Sequence, residues 1–170
     1  MRCCLPAVLS FLALSASAYA DPDASPFAGP YLGGQAGILS GERSAGASGV
    51  HLGYGATLGA PLVLGVEVEI DRSSRPFTDP RQRVEGLTRF KVRAGGRNGD
   101  MLLYGLGGLS ILESNQGQAQ GGLIGAGGQI SLGNGRSLGL ELTHEDFDEI
   151  GSTGRGISLT GLSFRAGLSF

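Results

Sequence analysis

Two runs of alternating charge pose the first chemical question. Glu67, Glu69 and Asp71 occupy every second position of one segment. Arg89, Lys91 and Arg93 do the same in a later one. Alternate spacing places such residues on a single face of a β-strand. If the two segments are neighbours, Glu67 and Glu69 meet Arg89, Lys91 and Arg93, and charge-assisted hydrogen bonds neutralise both sets. Glu85, Glu141 and Arg165 take the same polar parity within their own segments. This chemistry is ion pairing within a fold.

Other reactive constellations are sparse. The two histidines are His51 and His144. Strand direction predicts both near one rim of the fold. His144 with Glu145 and Ser158 contains the residue types of an acyl-transfer site. Yet His144 shares its parity with Leu138, Leu140 and Leu142, which makes it an ordinary apolar-face rim histidine. The glycine runs Gly105–Gly108 and Gly121–Gly128 lack the lysine and hydroxyl of a phosphate-binding loop. No metal-ligand spacing is visible, and the sequence predicts no catalytic residue, metal or cofactor. Four arginines, Arg72, Arg75, Arg81 and Arg83, cluster in one connecting segment, where they suit phosphate oxygens or simple solvation. Asp146, Asp148 and Glu149 make another connection acidic, which reads as a solvated loop.

The chain that carries these residues has 170 residues, 32 of them glycine, and a net charge of −2. The charge balance argues against nucleic-acid binding. The glycines have no three-residue period, and the 41% apolar content is too high for disorder. Met1 and Arg2 precede an apolar stretch from Leu5 to Leu14, and Ala18-Tyr19-Ala20 offers a signal-peptidase site. Residues 1–20 are therefore predicted to be a secretory signal peptide cleaved after Ala20. Both cysteines, Cys3 and Cys4, leave with it, which excludes disulfides and thiolate chemistry from the processed chain. Residues 21–29 are predicted to be a short N-terminal segment, and 30–170 a single domain.

From Tyr31 onward, short segments alternate apolar with small or polar residues, a strand signature. Eight are predicted: Tyr31–Leu39, Gly49–Leu58, Leu62–Asp71, Val84–Gly95, Asp100–Ile111, Gly121–Leu132, Arg136–Phe147 and Ile157–Phe170. The facing of 100–111 is ambiguous because the segment is apolar throughout. Connections alternate in length. Tight turns at 59–61, 96–99 and 133–135 alternate with longer loops at 40–48, 72–83, 112–120 and 146–156. An even number of strands of 9–12 residues, joined alternately by short turns and long loops, is the pattern of a transmembrane β-barrel. Lipid offers the backbone no hydrogen-bond partner, so such a sheet must close. Eight strands leave room inside only for side chains. The fold class predicted is all-β, a closed eight-stranded antiparallel up-and-down barrel with a polar, filled interior and four surface loops.

The segments RFKVRAGG (89–96), LLYGLGGLSI (102–111), GVEVEID (65–71) and GAGGQISLGNGRSLGLELTHEDFDE (125–149) resemble, in order and spacing, the small outer-membrane β-barrels of Gram-negative bacteria. These are the porin-family surface antigens and opacity-like proteins, relatives of the OmpA barrel. The resemblance spans most of 31–170. The last strand places Phe164, Leu168 and terminal Phe170 on one face, resembling the tail read by the barrel-assembly machinery. The resemblance implies a cell outer-membrane location and a non-enzymatic part in envelope integrity and surface exposure. With the chain in that membrane, the partners expected are outer-membrane lipid and, unless the cluster is only solvated, lipopolysaccharide phosphates at Arg72, Arg75, Arg81 and Arg83; the state expected is a monomer. The alternatives are a narrow solute pore, a lipid A-modifying barrel enzyme, adhesion through the loops, or a soluble periplasmic β-protein. The last would not need one charged face or a terminal phenylalanine.

Overall fold

The computed structural model describes residues 25–41, 44–73, 84–114, 117–147 and 156–170. The predicted signal peptide lies outside the described residues, as do Arg75, Arg81, Arg83, Asp148 and Glu149. Eight strands run β1 (Gly29–Ser40), β2 (Ser44–Thr57), β3 (Leu62–Ser73), β4 (Val84–Asn98), β5 (Met101–Ser114), β6 (Gly117–Gly133), β7 (Arg136–Phe147) and β8 (Ile157–Ser169). Each pairs antiparallel with the next, and β8 returns to β1 to close the barrel. The eight-stranded closed architecture expected from the alternation is therefore present.

Strand length is where expectation and structure part. The strands run from 12 to 17 residues; β1 to β6 are longer than predicted, while β7 has the predicted bounds and β8 ends one residue earlier. The expected loop at 40–48 is mostly strand, because β2 starts at Ser44 and pairs Ser44 with Ser40. The expected loop at 112–120 is likewise mostly strand, with β5 reaching Ser114 and β6 starting at Gly117. Only the β3–β4 and β7–β8 connections stay long. The cause is local composition. Ser44, Ser48, Gln118 and Gln120 are polar where an outward apolar residue was the expected sign of a strand.

The opposite end is built from tight turns. Asn134 (φ 51°) and Gly135 (φ 71°) follow each other with positive φ. That conformation matches the twist of a two-residue hairpin and favours an Asn-Gly pair. Gly99 (φ 58°) serves the β4–β5 turn.

Facing follows the pleat. Leu52, Val66, Val92, Leu140 and Leu162 point outward and are more than half exposed. Met101, Leu103 and Leu109 also point out, while Leu102, Tyr104, Leu106 and Leu112 are buried inside, which settles the facing of 100–111. Two buried apolar clusters occupy the interior. Leu39, Ala45, Leu87, Leu112, Ala119, Phe147 and Leu159 fill the long-loop end. Phe27, Val63, Leu102, Tyr104, Leu106 and Leu123 rise from the short-turn end along β5 and β6. The interior therefore combines the expected polar groups, which include Gln129 donating to buried Ser137 near the short turns, with two apolar clusters that the alternation did not predict. Phe27 belongs to the N-terminal segment. The Ser25 carbonyl accepts from the Ala28 amide, and this turn carries Phe27 into the barrel mouth.

A closed barrel with every backbone ladder paired should resist detergent until heated. Unboiled protein should migrate differently from boiled protein on an SDS gel, and identical mobility would contradict the closed sheet. Leu112→Ala should narrow that resistance, because a fully buried leucine truncated to alanine costs about 2–5 kcal/mol.

Candidate functional site

The residues that could do chemistry converge at mid-height inside the barrel. β3 and β4 face β7 and β8 across it, since each pair is separated from the other by two strands on either side. Glu67, Glu69 and Asp71 project inward from β3, and Arg89, Lys91 and Arg93 from β4. Register places Glu67 opposite Lys91 and Glu69 opposite Arg89. From the far wall come Glu141 and Glu145 on β7 and Arg165 on β8. All nine side chains are buried.

Their pairing forms one network. Arg89 Nη1 bonds both Glu69 and Asp71. Its Nε and Nη2 donate to Glu145 Oε1 at 3.0 and 2.7 Å. Lys91 Nζ meets Glu69, Glu141 at 2.5 Å and Glu67 at 3.3 Å. Arg165 reaches Glu141 and lies 2.7 Å from Glu67. The adjacent-strand pairs expected from the sequence are present, including Arg93 with Glu67 at 3.8 Å. The cross-barrel bonds through Glu141, Glu145 and Arg165 are what join the two walls. Burying a charge is costly unless it is paired and hydrogen-bonded, and this network pairs every one of them.

Neutral groups complete it. The hydroxyls of Tyr31 and Tyr104 donate to Glu67 and Glu141, each at 2.9 Å. Arg93 lies over both rings, 4.4 Å from the centroid of Tyr31 and 5.3 Å from that of Tyr104. This is cation–π geometry. Gln35 Nε2 donates to Asp71 at 2.8 Å. That bond turns the amide oxygen toward His51 Nδ1, 2.9 Å away, so His51 donates from Nδ1.

Room for these side chains comes from glycines. β1, β2, β5 and β6 carry no inward charge, and glycine recurs on their inner faces. A Cβ at Gly49 would stand 2.0 Å from Asp71 Oδ1, and one at Gly53 would stand 2.2 Å from the Tyr31 hydroxyl. At Gly127 it would stand 2.5 Å from the Tyr104 ring. The glycine content of the sequence is therefore partly a set of slots for the long residues of neighbouring strands.

Several expectations need correction here. His51 is not at the rim. It is buried at mid-barrel, because β2 begins five residues earlier than the alternation suggested. Glu145 does not accompany His144. It faces inward on Arg89, while His144 faces outward, as neighbours on a strand must. Its parity with Glu141 was the signal that placed it inside. Ser158 donates to Asp146 rather than to His144, whose Nδ1 is 3.0 Å from Thr160 Oγ1. The His144–Glu145–Ser158 constellation is not assembled. Arg72 is exposed on the outer face of β3. Glu85 lies on β4, but its side chain is outside the described groups. Phe164, Leu168 and Phe170 face outward, all exposed, on or next to β8.

Comparison with known proteins agrees with this architecture. The family described as outer membrane protein β-barrel domain matches residues 7–170. No curated protein sequence matches the chain. Among solved structures, the chain is similar to Neisserial surface protein A (NspA), at 14% identity and a TM-score of 0.60. That match covers 84% of this chain and 98% of the other. It is also similar to Ail, the attachment invasion locus protein of Yersinia pestis, at 18% identity and a TM-score of 0.51, covering 83% and 96% of the two chains. A second Ail structure, in complex with the heparin analogue sucrose octasulfate, matches at 17% identity with a TM-score of 0.51 and the same coverages. At these identities the likeness concerns the fold.

Removing one member of the network should cost far more than its surface equivalent. Arg89→Ala leaves Asp71 and Glu145 without their cation and Glu69 with Lys91 alone, and breaking a buried pair this way costs about 3–5 kcal/mol. Urea unfolding in lipid vesicles should show a loss of that order. A loss under 1 kcal/mol would show that the network is not what holds the walls together.

Proposed function

The chain belongs to the outer membrane protein β-barrel domain family, and from that premise we propose that it is a non-enzymatic barrel of the cell outer membrane. Its role is to maintain envelope integrity and to present its connecting loops at the surface. The observation that carries this reading is the filled interior. Paired charges occupy its middle, and apolar clusters lie at the long-loop end and at the short-turn mouth. A solute path would need the ion pairs to part and leucine, alanine and phenylalanine side chains to withdraw together. This disfavours the narrow-pore alternative. The lipid-modifying alternative is disfavoured by the separation of His144 from Glu145 and by the bond from Ser158 to Asp146.

In this reading residues 1–20 direct export and are removed after Ala20. The barrel-assembly machinery then inserts the chain, with Phe164, Leu168 and Phe170 as its signal. The barrel works as a monomer. Arg72 stands outward near the long-loop end, where it and Arg75, Arg81 and Arg83 would meet lipopolysaccharide phosphates. Guanidinium groups suit phosphate because their donors are planar and paired.

Planar-bilayer recording should give no stable conductance steps from the wild-type protein. Discrete steps that change in Glu67→Ala or Arg93→Ala would replace this reading with the pore. Changing the four arginines to glutamine should reduce lipopolysaccharide co-purified with the barrel, while lipid A acylation stays unchanged on overexpression. Equal co-purification would remove the phosphate-contact role.

A further inference from the structure

The polarity of the barrel wall inverts along its height. Through most of the barrel the outer face is apolar, and at mid-height the inner face is charged. Near the long-loop end the outside is polar and the inside is apolar. The change occurs at one level. Ile38, Leu162 and Leu142 are register partners on β1, β8 and β7, and form an outward apolar row. Two residues further, Ser40, Thr160 and His144 are also register partners, and form an outward polar row. On the neighbouring wall, Val50 pairs with Ile70, and the next outward pair is Ser48 with Arg72. On β5 the step is from Ile111 to Glu113. Inside, at and above the polar row, lie Leu39, Ala45, Leu112, Phe147 and Leu159.

Strand length gives an independent reason. A tilted strand needs about 9–11 residues to cross the hydrocarbon. These strands have 12 to 17. The surplus lies at the long-loop end, because the short-turn end is apolar outside down to Leu58, Leu62 and Leu132. A wall with apolar packing inside and polar groups outside is the arrangement of a barrel in an aqueous setting. Polar groups on it find partners without lipid: His144 bonds Thr160 and lies 3.6 Å from Asp146, which accepts from Ser158.

Resting on the membrane reading above, we infer that the outer-leaflet hydrocarbon ends between these two rows. The upper barrel then stands clear of it as a collar. The collar's outer wall is an interaction surface for lipid headgroups, to which it presents hydroxyls, an imidazole, carboxylates and Arg72. The sealed apolar cluster inside lets the collar keep its closed form without support from lipid.

The sequence holds only two cysteines, Cys3 and Cys4. With both changed to serine, each introduced thiol is unique. Asp146→Cys and Ser158→Cys probe the collar, and Gln118→Cys its β6 side. Leu142→Cys and Leu162→Cys probe the row beneath. The probe is a membrane-impermeant maleimide applied to the barrel in vesicles of bacterial phospholipid. Collar positions should label at least tenfold faster than the row beneath, with heat modifiability retained in every variant. Equal protection of Ser158→Cys and Leu162→Cys would place the collar in hydrocarbon and overturn the inference. So would equal labelling of the two in vesicle-bound, heat-modifiable protein. Labelling of both rows in protein that fails to associate with vesicles would overturn the membrane reading, and the collar with it.

Discussion

The closed hydrogen-bonded ring is the constraint on which everything else here depends. Lipid cannot satisfy a strand edge, so β8 must find β1, and eight strands must suffice. A ring that small leaves an interior only as wide as its side chains. Whatever points inward must therefore fit and must be neutralised. The sequence meets both demands with one device. Long charged residues from β3 and β4 meet partners from β7 and β8, and glycines on the remaining walls give them space. Pairing alone is a doubtful source of stability, because desolvation offsets much of the attraction. Its effect on specificity is plainer. A one-residue register slip of β3 or β4 would turn that strand's charges toward lipid.

Much of this was legible in the residues. The alternation of Leu62, Leu64, Val66, Val68 and Ile70 with Gly65, Glu67, Glu69 and Asp71 states both faces of β3 without ambiguity. The adjacency of β3 and β4 gave the pairing of Glu69 with Arg89 and Lys91. Cross-barrel partners were beyond such reading. Nothing in the spacing of Glu145 says that it will meet a residue 56 positions earlier. The ring has to close first. The depth of His51 escapes the residue spacing for a related reason. Its depth depends on where β2 begins, and β2 begins in residues that do not look like a membrane strand.

That failure is itself informative. A membrane strand is expected to keep its outward face apolar for as long as the strand lasts. In Ser44–Ser48 and in Gln118–Gln120 the assumption breaks while the backbone ladder continues. Alternation persists there, with Ala45, Ala47 and Ala119 as its weak apolar members. The inner face has taken over the apolar role from the outer one. A rule that sought alternation of either sense would have found the full strands.

Arg165 belongs to the last strand, and it ties Glu67 on β3 to Glu141 on β7. Until β8 docks, Glu141 has Lys91 as its one cation, and Glu67 has Lys91 and the more distant Arg93. The final strand thus brings in charge compensation together with its two hydrogen-bonded seams. Closure acts as a latch: the chain adds the last cation of its interior network and completes its cylinder in one step, and a barrel left ajar also leaves Glu67 and Glu141 short of a partner.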